Sequence, residues 1–115
     1  MFSTRRVALV EGDRNTAEML HTFFRVMDLE CSLVRPDSSA VPTVRRLAPD
    51  VLILDLDLPD LRALEIAREL DTIPTILLTD RDPQLVPFDA PVMRKPRDRF
   101  EELLRLFEMV LAFEE

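Results

Sequence analysis

The fold class predicted by this sequence is α/β, a doubly wound parallel sheet, and three observations carry it. Short apolar runs recur along the chain at Val7 to Val10, Cys31 to Val34, Val51 to Leu54 and Thr75 to Leu78, with a weaker run at Val92 and Met93. The segments between most of these runs are helical in period. The third run is continuous rather than alternating, as a strand buried on both faces of a parallel sheet must be.

The helices follow in order. Ala17, Leu20, Phe23, Phe24 and Met27 recur at helical spacing after the first strand, with Asp13 or Asn15 placed to cap. Ser38 to Leu47 is a weaker helix with Pro42 in its first turn, and Leu61 to Leu70 is a clearer one that ends before Pro74. From Arg97 onward Phe100, Leu103, Leu104, Phe107 and Leu111 form one apolar stripe, while Leu106, Met109 and Phe113 form a second. A helix packed only on its own sheet needs one stripe, so the second predicts a partner or homodimer surface. Between Thr79 and Pro91, prolines 83, 87 and 91 exclude a regular helix and predict a short, irregular crossover. With right-handed crossovers, the result is a flavodoxin-like sheet of order 2-1-3-4-5, in which the helix joining the fourth and fifth strands is shortened or irregular.

Composition narrows the function classes. A chain of 115 residues suits one domain over 1–115 with no output domain, and it can bury a core without disulfides. No apolar stretch reaches the length of a membrane span, and no secretory signal opens the chain, so a soluble cytoplasmic protein is expected. The net charge of −7 argues against direct nucleic-acid binding, which needs clustered cations. The one tight basic group, Arg94 to Arg99, is interrupted by Pro96 and Asp98. Cys31 sits in a strand-like run and reads as a buried thiol. His21, the only histidine, has no second imidazole to share a metal and reads as a solvated or half-buried side chain.

The chemistry-bearing residues gather at the carboxyl ends of the strands, where open α/β sheets bind ligands. These are Glu11 and Asp13 after the first strand, Asp55 and Asp57 after the third, Thr79 and Asp80 after the fourth, and Lys95 after the fifth. Acidic oxygens suit a hard, octahedral Mg²⁺, and a lysine with a hydroxyl can hold phosphoryl oxygens. Asp55 would be the nucleophile. Taken singly, these residues are ordinary: a strand-end carboxylate caps helices, and threonine and lysine are common at strand ends.

Five motifs in order resemble the receiver domain of two-component response regulators over nearly the whole chain. They are Val10-Glu11-Gly12-Asp13, Leu54-Asp55-Leu56-Asp57-Leu58-Pro59, Leu77-Leu78-Thr79, Lys95-Pro96 and the closing amphipathic helix. The resemblance implies phosphorelay signal transduction. Asp55 would accept a phosphoryl group from a histidine kinase or phosphotransfer protein, with Mg²⁺ held by Glu11, Asp13, Asp55 and Asp57. Thr79 and Lys95 would contact the phosphoryl group, and the Lys95-Pro96 bond would be cis. Such a domain is a regulatory phosphoacceptor rather than an enzyme.

The chain departs from the family's pattern at several positions. Gly12 stands where a directly metal-binding acid is usual, so Asp13 or Asp57 must compensate or the Mg²⁺ site lacks a ligand. Asp80 replaces a small residue and adds like charge beside the site unless a cation such as Arg81 absorbs it. Val92 replaces the aromatic switch, and Asp60 and Ala63 replace small loop glycines. These departures support the alternative of a pseudo-receiver that binds protein partners without phosphorylation. Asp55-Leu56-Asp57 also looks like the opening motif of haloacid-dehalogenase-like phosphatases, which need a further acidic strand end after the lysine.

Overall fold

The computed structural model describes residues 5–86, 89–97 and 99–112. Alternation begins with β1 (Arg6–Val10), α1 (Arg14–Val26), β2 (Glu30–Val34) and α2 (Ala40–Leu47). It continues through β3 (Val51–Asp55), α3 (Arg62–Glu69), β4 (Thr75–Thr79), β5 (Val92–Arg94) and α4 (Phe100–Ala112). All strand pairs are parallel, in the predicted order β2-β1-β3-β4-β5.

The two-residue period of the strands divides the core between the faces of the sheet. Val7, Leu9, Ile53, Ile76 and Leu78 pack under Leu20 and Phe24 of α1 and Leu103, Leu106 and Val110 of α4. Ala8, Val10, Leu52, Leu54 and Leu77 meet Ala40 and Val44 of α2 and Ala63 and Ile66 of α3. Every residue of β3 is buried, as its unbroken apolar run predicts. Cys31 is buried, and desolvation pushes its thiol up to about 12. His21 is half-buried on α1.

Asp13, rather than Asn15, caps α1 by accepting from the Thr16 amide. The second helix starts at Ala40, two residues later than Ser38, because Asp37 turns the chain by binding the Ser39 amide and hydroxyl. Before α3 the backbone makes a 3₁₀ turn over Pro59–Leu61 in which Asp60 is left-handed, at φ 60°. Glycine would be free there; aspartate is among the few other residues that tolerate the conformation.

The crossover from β4 to β5 contains a 3₁₀ turn at Pro83–Leu85 and no α-helix among the described residues, as the prolines predict. Pro87 lies outside the described residues. Without a helix there, an open groove of about 1040 Å³ lies between α3, at Leu64 and Ala67, and Leu85 and Val86, with Asp57 and Arg81 in its lining.

Two expectations are corrected here. The second stripe of α4 is not a free surface, because Leu106 is fully buried in the core and Met109 packs against the same cluster. The helix is turned so that Leu103, Leu106 and Val110 point into the sheet, leaving Phe100 61% exposed. Phe113 lies outside the described residues. The Lys95-Pro96 bond is trans, the isomer favoured by about 0.5–1 kcal/mol before proline. In that geometry the Lys95 amide already extends the sheet, donating to the Thr79 carbonyl at 2.8 Å.

Candidate functional site

Parallel register brings the strand ends together. Val10 pairs with Leu54, Asp55 with Leu78, and Thr79 with Arg94, so Glu11, Asp55, Thr79 and Lys95 emerge on one edge. All four are buried.

Lys95 is the centre of the cluster. Its Nζ lies 3.0 Å from Asp55 Oδ1, 3.1 Å from Glu11 Oε2 and 4.0 Å from Asp57 Oδ2. Burial pulls the ammonium's pKa down, but hydrogen bonds and charge from Asp55 and Glu11 outweigh it and hold the pKa above its usual value. Asp55 Oδ2 accepts from the Gly12 amide at 3.0 Å, and Oδ1 accepts from the Asp57 amide at 2.8 Å. Burial raises this carboxyl; hydrogen bonds involving Glu11, these two amides and Lys95 together outweigh it and leave Asp55 below its ordinary value. Asp55 is therefore an anion held by fixed donors.

Glu11 behaves oppositely. Its Oε2 accepts from Lys95 and from the Asp13 amide at 2.9 Å, while Oε1 is buried without a hydrogen-bond partner. Desolvation, reinforced by the hydrogen bond and charge of Asp55, raises its pKa to about 7. Two acids beside one lysine thus separate in character: Asp55 stays charged, and Glu11 carries a proton readily.

The carboxylates of two residues predicted to bind metal are engaged by other donors. Asp13 Oδ2 takes the Thr16 hydroxyl at 2.6 Å and the Thr16 amide at 3.3 Å, so its carboxylate caps α1 rather than entering the pocket. Asp57 Oδ1 accepts from the Thr79 hydroxyl at 2.9 Å, and Oδ2 from the Asp80 amide at 2.7 Å. No group of three acidic, histidine or cysteine side chains suited to a metal occurs among the described residues. The orphaned Glu11 Oε1 and Asp55 supply two carboxylates for a divalent cation, and the third position is Gly12. A Cβ there would stand 3.3 Å from Asp55 Oδ2, so a side chain at Gly12 would begin beside Asp55. The residues present do not make a complete Mg²⁺ site.

The charge that Asp80 is expected to add beside the site is absorbed, though not by Arg81. Arg97 pairs with the Asp80 carboxylate, while Arg81 Nε approaches Asp57 Oδ1 at 3.5 Å. After Lys95 the described chain enters α4 with no further strand, so the acidic strand end required by the dehalogenase-like reading is absent among the described residues.

A doubly wound sheet with this order and a buried acid and lysine at its carboxyl edge defines the receiver class. No family model matches the chain. Among curated proteins it is similar to the DNA-binding response regulator MtrA of Mycolicibacterium smegmatis, 32% identical over 78 residues, covering 65% of this chain and 34% of the relative. It is also similar to the transcriptional regulatory protein BaeR of Escherichia coli, 29% identical over 80 residues, covering 67% of this chain and 33% of the relative. The matches thus span about a third of the length of these relatives. Among solved structures, the CheY-like receiver domain from Methylobacillus flagellatus matches with a TM-score of 0.78 at 20% identity, over 97% of this chain and 100% of that one. Chemotaxis response regulator CheY4 of Vibrio cholerae matches at the same TM-score and 18% identity, over 94% and 99%. The chain has the fold of response-regulator receiver domains and is similar in sequence to response regulators over about two thirds of its length.

Proposed function

We propose that Asp55 is the phosphoacceptor of this domain in a phosphorelay, taking its phosphoryl group from a phosphohistidine on a histidine kinase or phosphotransfer protein. The observation that carries the reading is the Lys95 ammonium 3.0 Å from an anionic Asp55 whose two oxygens are each fixed by a backbone amide. An oxygen of Asp55 attacks phosphorus, the new O–P bond forms as the P–N bond breaks, and the electron pair leaves on the imidazole nitrogen. The chain contributes positioning and charge: Lys95 offsets the negative charge gathering at the acceptor, and the amides aim the attacking oxygen. The domain acts as a regulatory acceptor rather than as an enzyme. A solved complex of histidine kinase ThkA with response regulator TrrA, whose fold this chain shares at 22% identity and a TM-score of 0.76, is consistent with a kinase as partner. No described helix is long and apolar enough to cross a membrane, which agrees with a cytoplasmic role.

With the third ligand position taken by Gly12, Mg²⁺ binding is weak. The second reading, a receiver-shaped module that binds partners without phosphorylation, is favoured by that missing ligand and by the lack of an α-helix among the described residues between β4 and β5. Intact mass after incubation with acetyl phosphate, with and without Mg²⁺, separates the two. An adduct on the native chain that is absent from Asp55→Asn supports the acceptor. No adduct on a folded protein, with a conventional receiver labelled in parallel, supports the module.

A further inference from the structure

Thr79, which follows the strand residue paired with Asp55, and the amide of Asp80 are hydrogen-bond donors on the sheet edge where Asp55 emerges, and both are already in use. The Asp57 carboxylate spans them, one oxygen on the Thr79 hydroxyl and the other on the Asp80 amide. The arrangement is closed on the donor side as well, since the Thr79 oxygen accepts from the Arg81 amide at 3.1 Å and so directs its own proton toward Asp57. Arg81 Nε and Lys95 Nζ approach the same carboxylate at 3.5 and 4.0 Å. Asp57 therefore presents two anionic oxygens to a hydroxyl, an amide and two cations, which is the surrounding a phosphoryl group seeks.

We infer that Asp57 is an internal occupant of the phosphoryl-binding donors, so that phosphorylation of Asp55 must first displace it and Asp57 sets the resistance of the site. This rests on the acceptor reading of Asp55 given above. Displacement needs only a side-chain rotation, because the Asp57 side chain is 24% exposed against 3% for Asp55, and water can receive it. Asp57 is thus a positioning residue that works against the reaction by holding Thr79 and Asp80 away from it.

The first test removes covalent chemistry. In an Asp55→Asn background, inorganic phosphate is titrated while the Thr79 and Asp80 amides are followed by ¹⁵N NMR. Adding Asp57→Ala should tighten phosphate binding about tenfold or more, since hydrogen bonds to a charged competitor no longer oppose it. Asp57→Asn, which keeps the shape and loses the charge, should lie between and guards against misfolding of the alanine variant. Unchanged or weaker phosphate binding in both variants overturns the inference.

The second test keeps Asp55 and measures initial labelling by acetyl phosphate. Faster labelling of Asp57→Ala than of the native chain supports the inference, whereas slower labelling overturns it and makes Asp57 a helper of the transfer. Tighter phosphate binding without any adduct on Asp57→Ala would refute Asp55 as acceptor while supporting Asp57 as the occupant of the donors.

Discussion

Replacing Lys95 by methionine should destabilise the domain in a manner that depends on pH. The side chain is 5% exposed and contacts two buried carboxylates at 3.0 and 3.1 Å. At an effective dielectric of about 20, each contact amounts to roughly 5 kcal/mol of attraction before solvation is considered. Losing the cation also removes its own desolvation penalty of several kcal/mol, and breaking a buried pair costs about 3–5 kcal/mol net. Methionine fills a similar volume, so little of the loss comes from a cavity. At about pH 8 the variant must either keep two facing carboxylates without a cation or hold a proton on Glu11 against the solvent, while at about pH 5 that proton comes without such a cost, so the loss should be smaller in acid. Urea unfolding of both proteins at the two pH values gives the numbers. A loss under about 1 kcal/mol, or one independent of pH, would refute a buried lysine as the group that offsets this acidic cluster.

Four further outcomes follow from the same geometry. Glu11 has a folded pKa raised from 4.5 to about 7, so its contribution to stability is complete below pH 4.5 and is lost as pH rises through about 7. Native stability should therefore decline across that window, and in Glu11→Gln the decline should flatten in chemical denaturation profiles. Leu106→Ala should cost about 2–5 kcal/mol in thermal or urea unfolding without altering sedimentation, since the residue is core; a change in self-association at native stability would restore the surface reading. Asp13→Ala should lower the unfolding midpoint as a lost cap and leave Mg²⁺ affinity unchanged in a calorimetric titration. Gly12→Asp, by contrast, should tighten Mg²⁺ binding, provided Leu58 Cδ2 yields the 3.0 Å approach of the new Cβ.

The strands were legible because burial on two faces leaves a continuous apolar run, as in β3, and because Pro83 and Pro91 mark where no helix can form. The strand-end positions of Asp55, Thr79 and Lys95 were legible for the same reason, since strand ends and register place them. What sequence could not decide was the direction of each carboxylate. Asp13 and Asp57 lie in the right loops, but one finds the Thr16 amide and hydroxyl and the other finds Thr79 and the Asp80 amide. Local hydrogen-bond competition of this kind leaves no mark in spacing. The facing of α4 was lost for another reason: its apolar residues cover more than one stripe, and periodicity does not say which points inward. Burial chose Leu103, Leu106 and Val110, with Phe107 and Phe100 left to meet Phe23 edge-on at 6.4 and 6.2 Å.

The fifth strand gives the site an unequal foundation. Asp55 stands on β3, which has strands on both sides and no exposed residue, whereas Lys95 is delivered by a three-residue border strand that pairs with β4 alone and whose Val92 and Met93 are half-buried. Borders of sheets open with smaller free energies than their centres. Fraying that releases the Lys95 amide from the Thr79 carbonyl would withdraw the cation while leaving Asp55 and most of the core in place. The electrostatic state of Asp55 is thereby tied to a local, sub-global opening, and a protein that grips the border of this sheet would change the charge around Asp55 without touching it.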